Sequence, residues 1–329
     1  MVRTKVRVRL ASTVLAAAVL TSLAACSNPL SRIGDALGTP SVTEALSQQA
    51  QQGAQTASAP SSLVTAGTLT VGIDSSSSAP MGIQDVDGSY EGFDVDMAAA
   101  VASEMGLDVT YVSVANASRE LGSTCDVVMG VKSGDASGLT VVGSYAESAT
   151  GFFHKGDATT VKLSDVTGKN VGVQDGSASQ QMLKRSNVNA TAKTYANLNA
   201  AFEGLEAGEV DFVLCDAFSG AYLAGGYGDI SFAGSIEVPS SVGVAVASGD
   251  TELQTSVKQA VDKVSSGGVG TLLRSKWLGG LPTLTGSSVI EGVVVSSAAA
   301  KEGSQDTVSG AAGAQDGSNA GANAVDISD

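Results

Sequence analysis

Five short, nearly all-apolar segments between Ala66 and Leu281 constrain the fold of this chain most, because the stretches between them have helical periodicity. The five segments are Leu69–Ile73, Val109–Val112, Asp126–Met129, Val171–Val173 and Val210–Leu214. Such segments are typical of parallel strands that are buried on both faces, since crossover helices cover both sides of a parallel sheet. The alternation therefore predicts an α/β fold with a mostly parallel sheet.

Two helix-start signals lie between these strands. Asp94 is placed to cap a helix that ends at Gly106, a residue type favoured just after a helix. The apolar stripe of this helix consists of Met97, Val101 and Met105. Ser177 and Gln180 form a capping-box pattern directly after a strand. Because ligands of open α/β sheets bind at the carboxyl ends of strands, the turn at Ser177 is a candidate site.

The amino terminus has the pattern of a lipoprotein signal. A basic stretch precedes a short apolar run that ends in Leu23-Ala24-Ala25-Cys26. A helix that spans a membrane needs roughly 20 apolar residues, so this run predicts a secretory signal instead. The four residues resemble the lipobox of bacterial lipoproteins, in which Cys26 would be acylated, as with palmitate, after removal of the signal peptide 1–25. An ordinary secretory signal with an incidental cysteine is the alternative.

Composition separates a folded middle from two polar flanks. Residues 26–65 are rich in Ser, Ala, Gln and Gly and have no apolar period, so we expect a flexible tether there. Beyond Leu281 a single apolar stretch, Val289–Val295, precedes a polar tail. We expect residues 282–329 to be largely disordered, because this composition buries little apolar surface.

Charge and residue counts restrict the partners. The chain has 18 basic and 33 acidic residues and a formal net charge of −15, which argues against binding to nucleic acid and to anionic lipid surfaces. Attachment to the cell membrane would then depend on the lipid at Cys26. One histidine, His154, and three dispersed cysteines do not form a metal-binding pattern. The sequence therefore predicts neither a metal site nor a cofactor.

Several motifs in the folded middle occur together in one known family. They are Leu69–Asp74, Asp87–Asp96, Leu163–Ser177, Leu205–Asp216 and Leu273–Gly279. In this order and register, from about Gly67 to Gly280, they resemble the polar amino-acid family of extracellular solute-binding proteins (bacterial solute-binding protein family 3), here of lipoprotein type. Several motifs in register are far more specific than any one of them.

The resemblance implies a two-lobed, periplasmic-binding-protein-like (type II) fold with two hinge crossings, near Gly151–His154 and Ile236–Ser240. Residues 66–152 and 238–281 would form lobe 1, and residues 153–237 would form lobe 2. A monomer would capture a small polar solute by hinge closure and deliver it to the membrane subunits of an ABC importer. One alternative is a dehydratase-like or lytic transglycosylase-like enzyme, with Glu147 as its candidate acid or base. The other is a solute sensor without transport.

The same resemblance assigns ligand-binding roles. Asp216 would pair with the ammonium group of the ligand from the end of its strand; the alternative is a helix cap. The backbone amides of Gly176, Ser177 and Ala178 would receive a carboxylate or another anion; the alternative is simply a capped turn. Tyr145 lies in a further contact region of the family.

Two departures from the family bear on the ligand. The family usually has an arginine after the strand Asp126–Met129, where it clamps the α-carboxylate of the ligand. Asp135 stands at that position here and would add an acidic group near the cleft, as does Asp216. Nearby Lys132 would replace the arginine only in part, because it is a point charge rather than a planar fork. Met81 replaces an aromatic residue of the first loop and would supply an apolar wall or belong to the core. An amine or another cationic metabolite is therefore an alternative to an α-amino acid.

Cys125 and Cys215 form an even pair in an oxidising compartment, so they are candidates for a disulfide. On the topology of the family, Cys125 begins a strand of lobe 1 and Cys215 ends a strand of lobe 2. Their separation could therefore exceed the roughly 7 Å between Cα atoms that a disulfide tolerates.

Overall fold

The computed structural model describes residues 60–133 and 138–296. Its strands are β1 (Thr68–Asp74), β2 (Ile83–Gln84), β3 (Tyr90–Glu91), β4 (Asp108–Val114), β5 (Val127–Lys132), β6 (Leu139–Ser148), β7 (Thr150–Lys155), β8 (Asn170–Gln174), β9 (Thr191–Tyr195), β10 (Phe212–Asp216), β11 (Ile230–Ser235) and β12 (Ser240–Ala247). Its α-helices are α1 (Phe93–Glu104), α2 (Ala117–Glu120), α3 (Leu163–Val166), α4 (Ala178–Arg185), α5 (Leu198–Glu206), α6 (Ala217–Ala224), α7 (Thr251–Ser266) and α8 (Gly268–Leu278). Apart from the short hairpin of β2 and β3, the strands form two five-stranded sheets.

The first lobe is built on the sheet with strand order β4-β1-β5-β12-β6. Strand β1 is parallel to β4 and β5, whereas β12 is antiparallel to β5 and β6. Helix α1 packs on β1, β4 and β5, and α7 packs on β6 and β12. Their apolar faces bury residues such as Met97, Val101 and Val257. This burial supplies the main driving force for the lobe.

The second lobe is built on the sheet with strand order β11-β7-β10-β8-β9. Strand β8 is parallel to β9 and β10, and β7 is antiparallel to β10 and β11. Helices α4 and α5 pack on β8 and β10, while α6 packs on β7 and β11. The predicted parallel strands are present as β1, β4, β5, β8 and β10. The two α/β lobes are those expected of the type II fold. Each sheet has two parallel and two antiparallel pairings, so the prediction of a mostly parallel sheet is wrong.

The chain leaves the first sheet after Ser148 and enters the second at Thr150; it returns between Ser235 and Ser240. The resemblance implies a first crossing near Gly151–His154. In the structure these residues already belong to β7, which pairs with β10 and β11, and the crossing precedes them. The two connections lie side by side, because the Thr150 amide donates to Glu237 Oε1 over 2.9 Å and the Ile236 amide donates to the Thr150 carbonyl over 3.0 Å. The two connections are therefore hydrogen-bonded to each other.

The segment after α8 folds onto the second lobe. Ile290 is fully buried among the second-lobe core residues, and its amide donates to the Ser235 carbonyl over 2.9 Å. Asn187 Nδ2 donates to the Gly292 carbonyl, and Asn187 Oδ1 accepts from the Val294 amide, both over 2.8 Å. Residues 282–296 thus differ from the expected disordered tail, because their apolar side chains complete a core surface. Residues 297–329 lie outside the described part, as do the predicted signal peptide and the tether up to residue 59.

Two further features concern the cysteines and the helices. Cys125 and Cys215 are both buried and are not joined to each other by a disulfide. Cys125 packs in the first lobe and Cys215 lies in β10 of the second, in accordance with the topology that argued against a bridge. Within residues 60–133 and 138–296, no helix is long and apolar enough to cross a membrane.

The packing of the carboxyl-terminal segment predicts a stability effect for Ile290→Ala. Removing a fully buried isoleucine leaves a cavity, and we expect the free energy of unfolding to fall by about 2–4 kcal/mol in urea denaturation. Val294→Ala is the matched control, because Val294 is 62% exposed and its truncation should cost less than about 0.5 kcal/mol. Equal, small effects of both substitutions would contradict the packing described.

Candidate functional site

A cavity of about 390 Å³ lies between the two lobes. Its wall on the first lobe includes Asp74, Ser76, Met81, Asp94 and Lys132. The opposite wall includes Thr150, Ala178, Ser179, Asp216 and Ser219 of the second lobe. A volume of this size is typical of sites for small ligands, which also tend to form where two domains meet.

Asp216 ends β10 and begins helix α6, so it combines the two positions that the sequence suggests. Its Oδ1 accepts hydrogen bonds from the amides of Phe218 (3.0 Å) and Ser219 (3.1 Å), which makes it the N-cap of α6. Its Oδ2 accepts from the hydroxyl of Ser148 over 2.9 Å. Ser148 is the last residue of β6 in the first sheet. The carboxylate thus lies in the cavity wall and joins the end of β10 to the first lobe.

The prediction that Asp94 caps helix α1 is wrong. The N-cap is Gly92, with φ of +138°, and Asp94 lies in the first turn. The amides of Phe93 and Asp94 donate to the carbonyls of Pro80 and Met81, so the preceding loop satisfies the helix start. The Asp94 side chain is consequently available for another role.

Asp94 is instead a buried carboxylate in the cavity wall. Only 4% of the residue is exposed, and its Oδ1 accepts a 2.5 Å hydrogen bond from the phenol of Tyr145. The same phenol accepts from the Gly130 amide over 2.8 Å. Burial raises the pKa of Asp94 to about 7, although the hydrogen bond from Tyr145 opposes this effect.

The loop after β1 supplies a third carboxylate and several hydroxyl groups. Asp74 Oδ1 accepts from the amide of Ser76 over 2.7 Å and from its hydroxyl over 2.6 Å. Ser76, Ser77 and Ser78 line the cavity. Met81 lines it as well and also packs against the larger hydrophobic core cluster, so it lies both in the wall and at the edge of the core.

The turn before α4 is a capped turn. Ser177 Oγ accepts from the Gln180 amide, and Gln180 Oε1 accepts from the Gly176 amide, both over 3.1 Å. The Ser177 half of the predicted capping box is therefore present, but Gln180 accepts from the Gly176 amide rather than from the Ser177 amide. This bond already occupies the Gly176 N–H. Ala178 and Ser179 reach the cavity wall, whereas Gly176 and Ser177 are not part of it.

The remaining predicted site residues differ in their position. Lys132 is in the cavity wall. Tyr145 is buried behind Asp94 and is not in the wall. Asp135 belongs to residues 134–137, outside the described part of the chain. Glu147, considered above as an acid or base, lies in β6 and is not in the wall.

The described wall is acidic. It carries the three carboxylates Asp74, Asp94 and Asp216 and one cationic side chain, Lys132. None of the arginines in residues 60–133 and 138–296 lines it. In those same ranges, no group of three or more His, Cys, Asp and Glu side chains could hold a metal ion. An excess of carboxylates in a recessed site favours cationic ligands.

Two of these carboxylates were missed as candidates although the sequence carries a signal for each. Asp74 directly follows β1 just as Asp216 ends β10, so the rule of strand carboxyl ends applies equally to both. Asp94 precedes Met97 and Val101 by three and seven residues, which places all three on one helix face. Ser148 and Thr150 depend on the pairing of distant strands, and no local signal indicates them. Ser219 follows locally from the helix that begins after Asp216.

Comparisons with known proteins agree with this architecture. Residues 69–130 match the family model for bacterial extracellular solute-binding proteins, family 3. The L-cystine-binding protein TcyJ of Escherichia coli K12 is 25% identical over 222 residues, which cover 65% of this chain and 83% of that protein. The arginine-binding periplasmic protein of Mannheimia haemolytica is 24% identical over 212 residues, covering 61% and 87% respectively.

Solved structures support the same fold. A polar amino acid ABC uptake transporter substrate binding protein from Streptococcus thermophilus has a TM-score of 0.59 at 21% identity, covering 69% of this chain and 90% of its own. An ancestral cationic amino acid solute binding protein has a TM-score of 0.54 at 24% identity, covering 71% and 99%. Both have the type II, two-lobed fold. In its sequence motifs and in its fold, this chain therefore resembles the bacterial extracellular solute-binding proteins of family 3.

Proposed function

We propose that this protein captures a small polar solute outside the cytoplasm and delivers it to the membrane subunits of an ABC importer. The observation that carries this proposal is the cavity of about 390 Å³, which receives polar side chains from both lobes. A ligand held by both walls would stabilise the closed arrangement over the open one. The family resemblance supports the link to an importer, because its members serve this kind of transport.

The charge of the wall supports a positively charged solute, either an amino acid, an amine or a related metabolite. Asp216 would contact an ammonium group, since it lies in the second-lobe wall at the end of β10. No arginine of the described residues is in position to clamp a carboxylate, and Lys132 would offer only a single charge. The relatives named for cystine and arginine support an amino-acid-like size.

Hinge closure would use the paired connections between the sheets. Thr150 and Glu237 are hydrogen-bonded across them. The hydrogen bond from Ser148 to Asp216 connects a carboxylate of the cavity wall to the residue that precedes the first connection. A change at Asp216 on ligand binding would thus act directly on the connection that bends. Closure of two rigid lobes about a few connecting residues is a common binding motion.

A lipid on Cys26 would keep the protein at the outer face of the cell membrane. The protein would act there as a monomer. Residues 26–59 would act as the tether, because the Val64 amide already donates to Asp126 of the first lobe. If they behave as flexible coil, the lobes would reach roughly 35 Å root-mean-square from the anchor. This distance would let the binding lobes meet importer subunits in the same membrane.

The proposed contact at Asp216 predicts that Asp216→Asn weakens binding without unfolding the protein. Calorimetry against amino acids, polyamines and quaternary amines should show saturable binding of a cationic solute to the wild type. The substitution should cost about 2 kcal/mol of binding, or roughly 30-fold in affinity. The thermal midpoint should change little, because asparagine is also a favourable N-cap.

Asp250→Asn is the matched control, since Asp250 caps α7 through the Leu253 amide and is not in the cavity wall. Its affinity should equal that of the wild type. The absence of saturable binding by the folded wild type would contradict the proposed function, and product formation would favour an enzyme.

The proposed anchor predicts that Cys26→Ser moves the protein from the membrane fraction to the medium and abolishes labelling by a palmitate analogue. The thiol is the acylated group, so its removal eliminates the attachment. Ser27→Ala is the control and should stay membrane-bound. Unchanged membrane retention of Cys26→Ser would refute lipid anchoring at this residue.

A further inference from the structure

We propose that Asp94 is a ligand-binding residue and that the solute held between Asp94 and Asp216 is a small dication without a carboxylate, such as an aliphatic diamine. This inference rests on the proposed function and narrows the class of solute.

The second oxygen of Asp94 is unused by the described protein. Oδ1 is bound by the Tyr145 phenol, whereas no hydrogen bond reaches Oδ2 from residues 60–133 and 138–296. Only 4% of the residue is exposed, and it forms part of the cavity wall. A carboxylate oxygen at the edge of a recessed site that receives no protein donor is a suitable acceptor for a ligand. A ligand N–H group in the cavity would supply the missing donor.

Gly130 keeps this oxygen uncovered. It lies in the same wall with φ of +77°, and a Cβ at this position would come within 2.7 Å of Asp94 Oδ2. A side chain here would therefore shield the oxygen and strain the backbone. The glycine leaves room at the place where a ligand would approach Asp94.

Tyr145 is the positioning residue for this carboxylate. Its phenol donates to Asp94 Oδ1 and accepts from the Gly130 amide over 2.8 Å. Burial and the neighbouring carboxylate raise the pKa of Tyr145 well above its ordinary value, so the phenol stays a neutral donor. With one oxygen fixed in this way, the other faces the cavity.

The charge balance of the wall selects the ligand class. The titratable groups that surround the space are Asp74, Asp94, Asp216 and Lys132, with Tyr145 behind Asp94. When the carboxylates are ionised, two negative charges are left after pairing one of them with Lys132. A dication would neutralise both. The carboxylate of an amino acid would add a negative charge for which the described wall has no second cation.

Binding of such a dication would depend on pH. Burial raises the pKa of Asp94 to about 7, so the carboxyl is partly protonated near neutrality. A cation favours the ionised form, and binding releases a proton. The affinity should consequently increase as the pH rises from 6 to 8, and this increase should come from Asp94.

Calorimetry on the purified protein with 1,4-diaminobutane, n-butylamine and L-arginine tests the inference. We expect the diamine to bind at least tenfold more tightly than either of the other two.

Asp94→Asn should lower diamine affinity at least tenfold, leave butylamine affinity unchanged and remove the rise in affinity between pH 6 and 8. The thermal midpoint of Asp94→Asn at pH 8 should equal or exceed that of the wild type, because a buried charge is lost. Asp96→Asn, on the same helix but outside the wall, should bind like the wild type.

If Asp94→Asn does not fold, Tyr145→Phe provides the test. Loss of the phenol donor should raise the pKa of Asp94 and move the pH dependence of diamine binding to higher pH. Binding of L-arginine as tight as that of the diamine, or a change below twofold in Asp94→Asn, would overturn the inference but leave the proposed function intact. Failure to bind any solute, amino acids included, would overturn both.

Discussion

The antiparallel pairing of β7 with β10 is the constraint on which the rest of the site depends. It sets Asp216 opposite Thr150, the first residue of the second sheet after the crossing. In this position, the Asp216 carboxylate caps α6 and accepts a hydrogen bond from the hydroxyl of Ser148 in the first lobe. The Thr150 amide in turn binds Glu237 in the returning connection. One register therefore fixes the candidate ligand carboxylate, a helix start and both connections in one place.

The second organising feature is the cost of burying Asp94. A carboxylate that is almost fully removed from water is tolerated only with strong partners. Here a single phenol serves one oxygen, and the raised pKa reflects how incomplete this compensation is. Such incomplete compensation is more common at functional sites than in structural cores.

The sequence predicts the parallel strands well because burial on both faces demands continuous apolar runs, as in β1 and β10. The antiparallel strands β6, β7, β11 and β12 escape this rule, since their pattern is mixed and their partners are distant in the chain. Asp94 illustrates the same limit within one helix. A local rule assigns it to a cap, but the carbonyls of Pro80 and Met81 take over the helix start. Residues 282–296 are a third example, because only contact with the second-lobe core gives Ile290 a place to be buried.

The sequence by itself determined the fold class, the family resemblance, the strand-end position of Asp216 and the absence of an arginine at the usual clamp. These properties are local, because they depend on residue type and spacing along the chain. Only the tertiary structure decided that Asp74, Asp94, Asp216 and Lys132 share one cavity, and that Gly130 leaves an oxygen of Asp94 uncovered. The charge of a site depends on which charged side chains share it, and these residues are far apart in the sequence. Strand pairing and helix packing decide which of them come together.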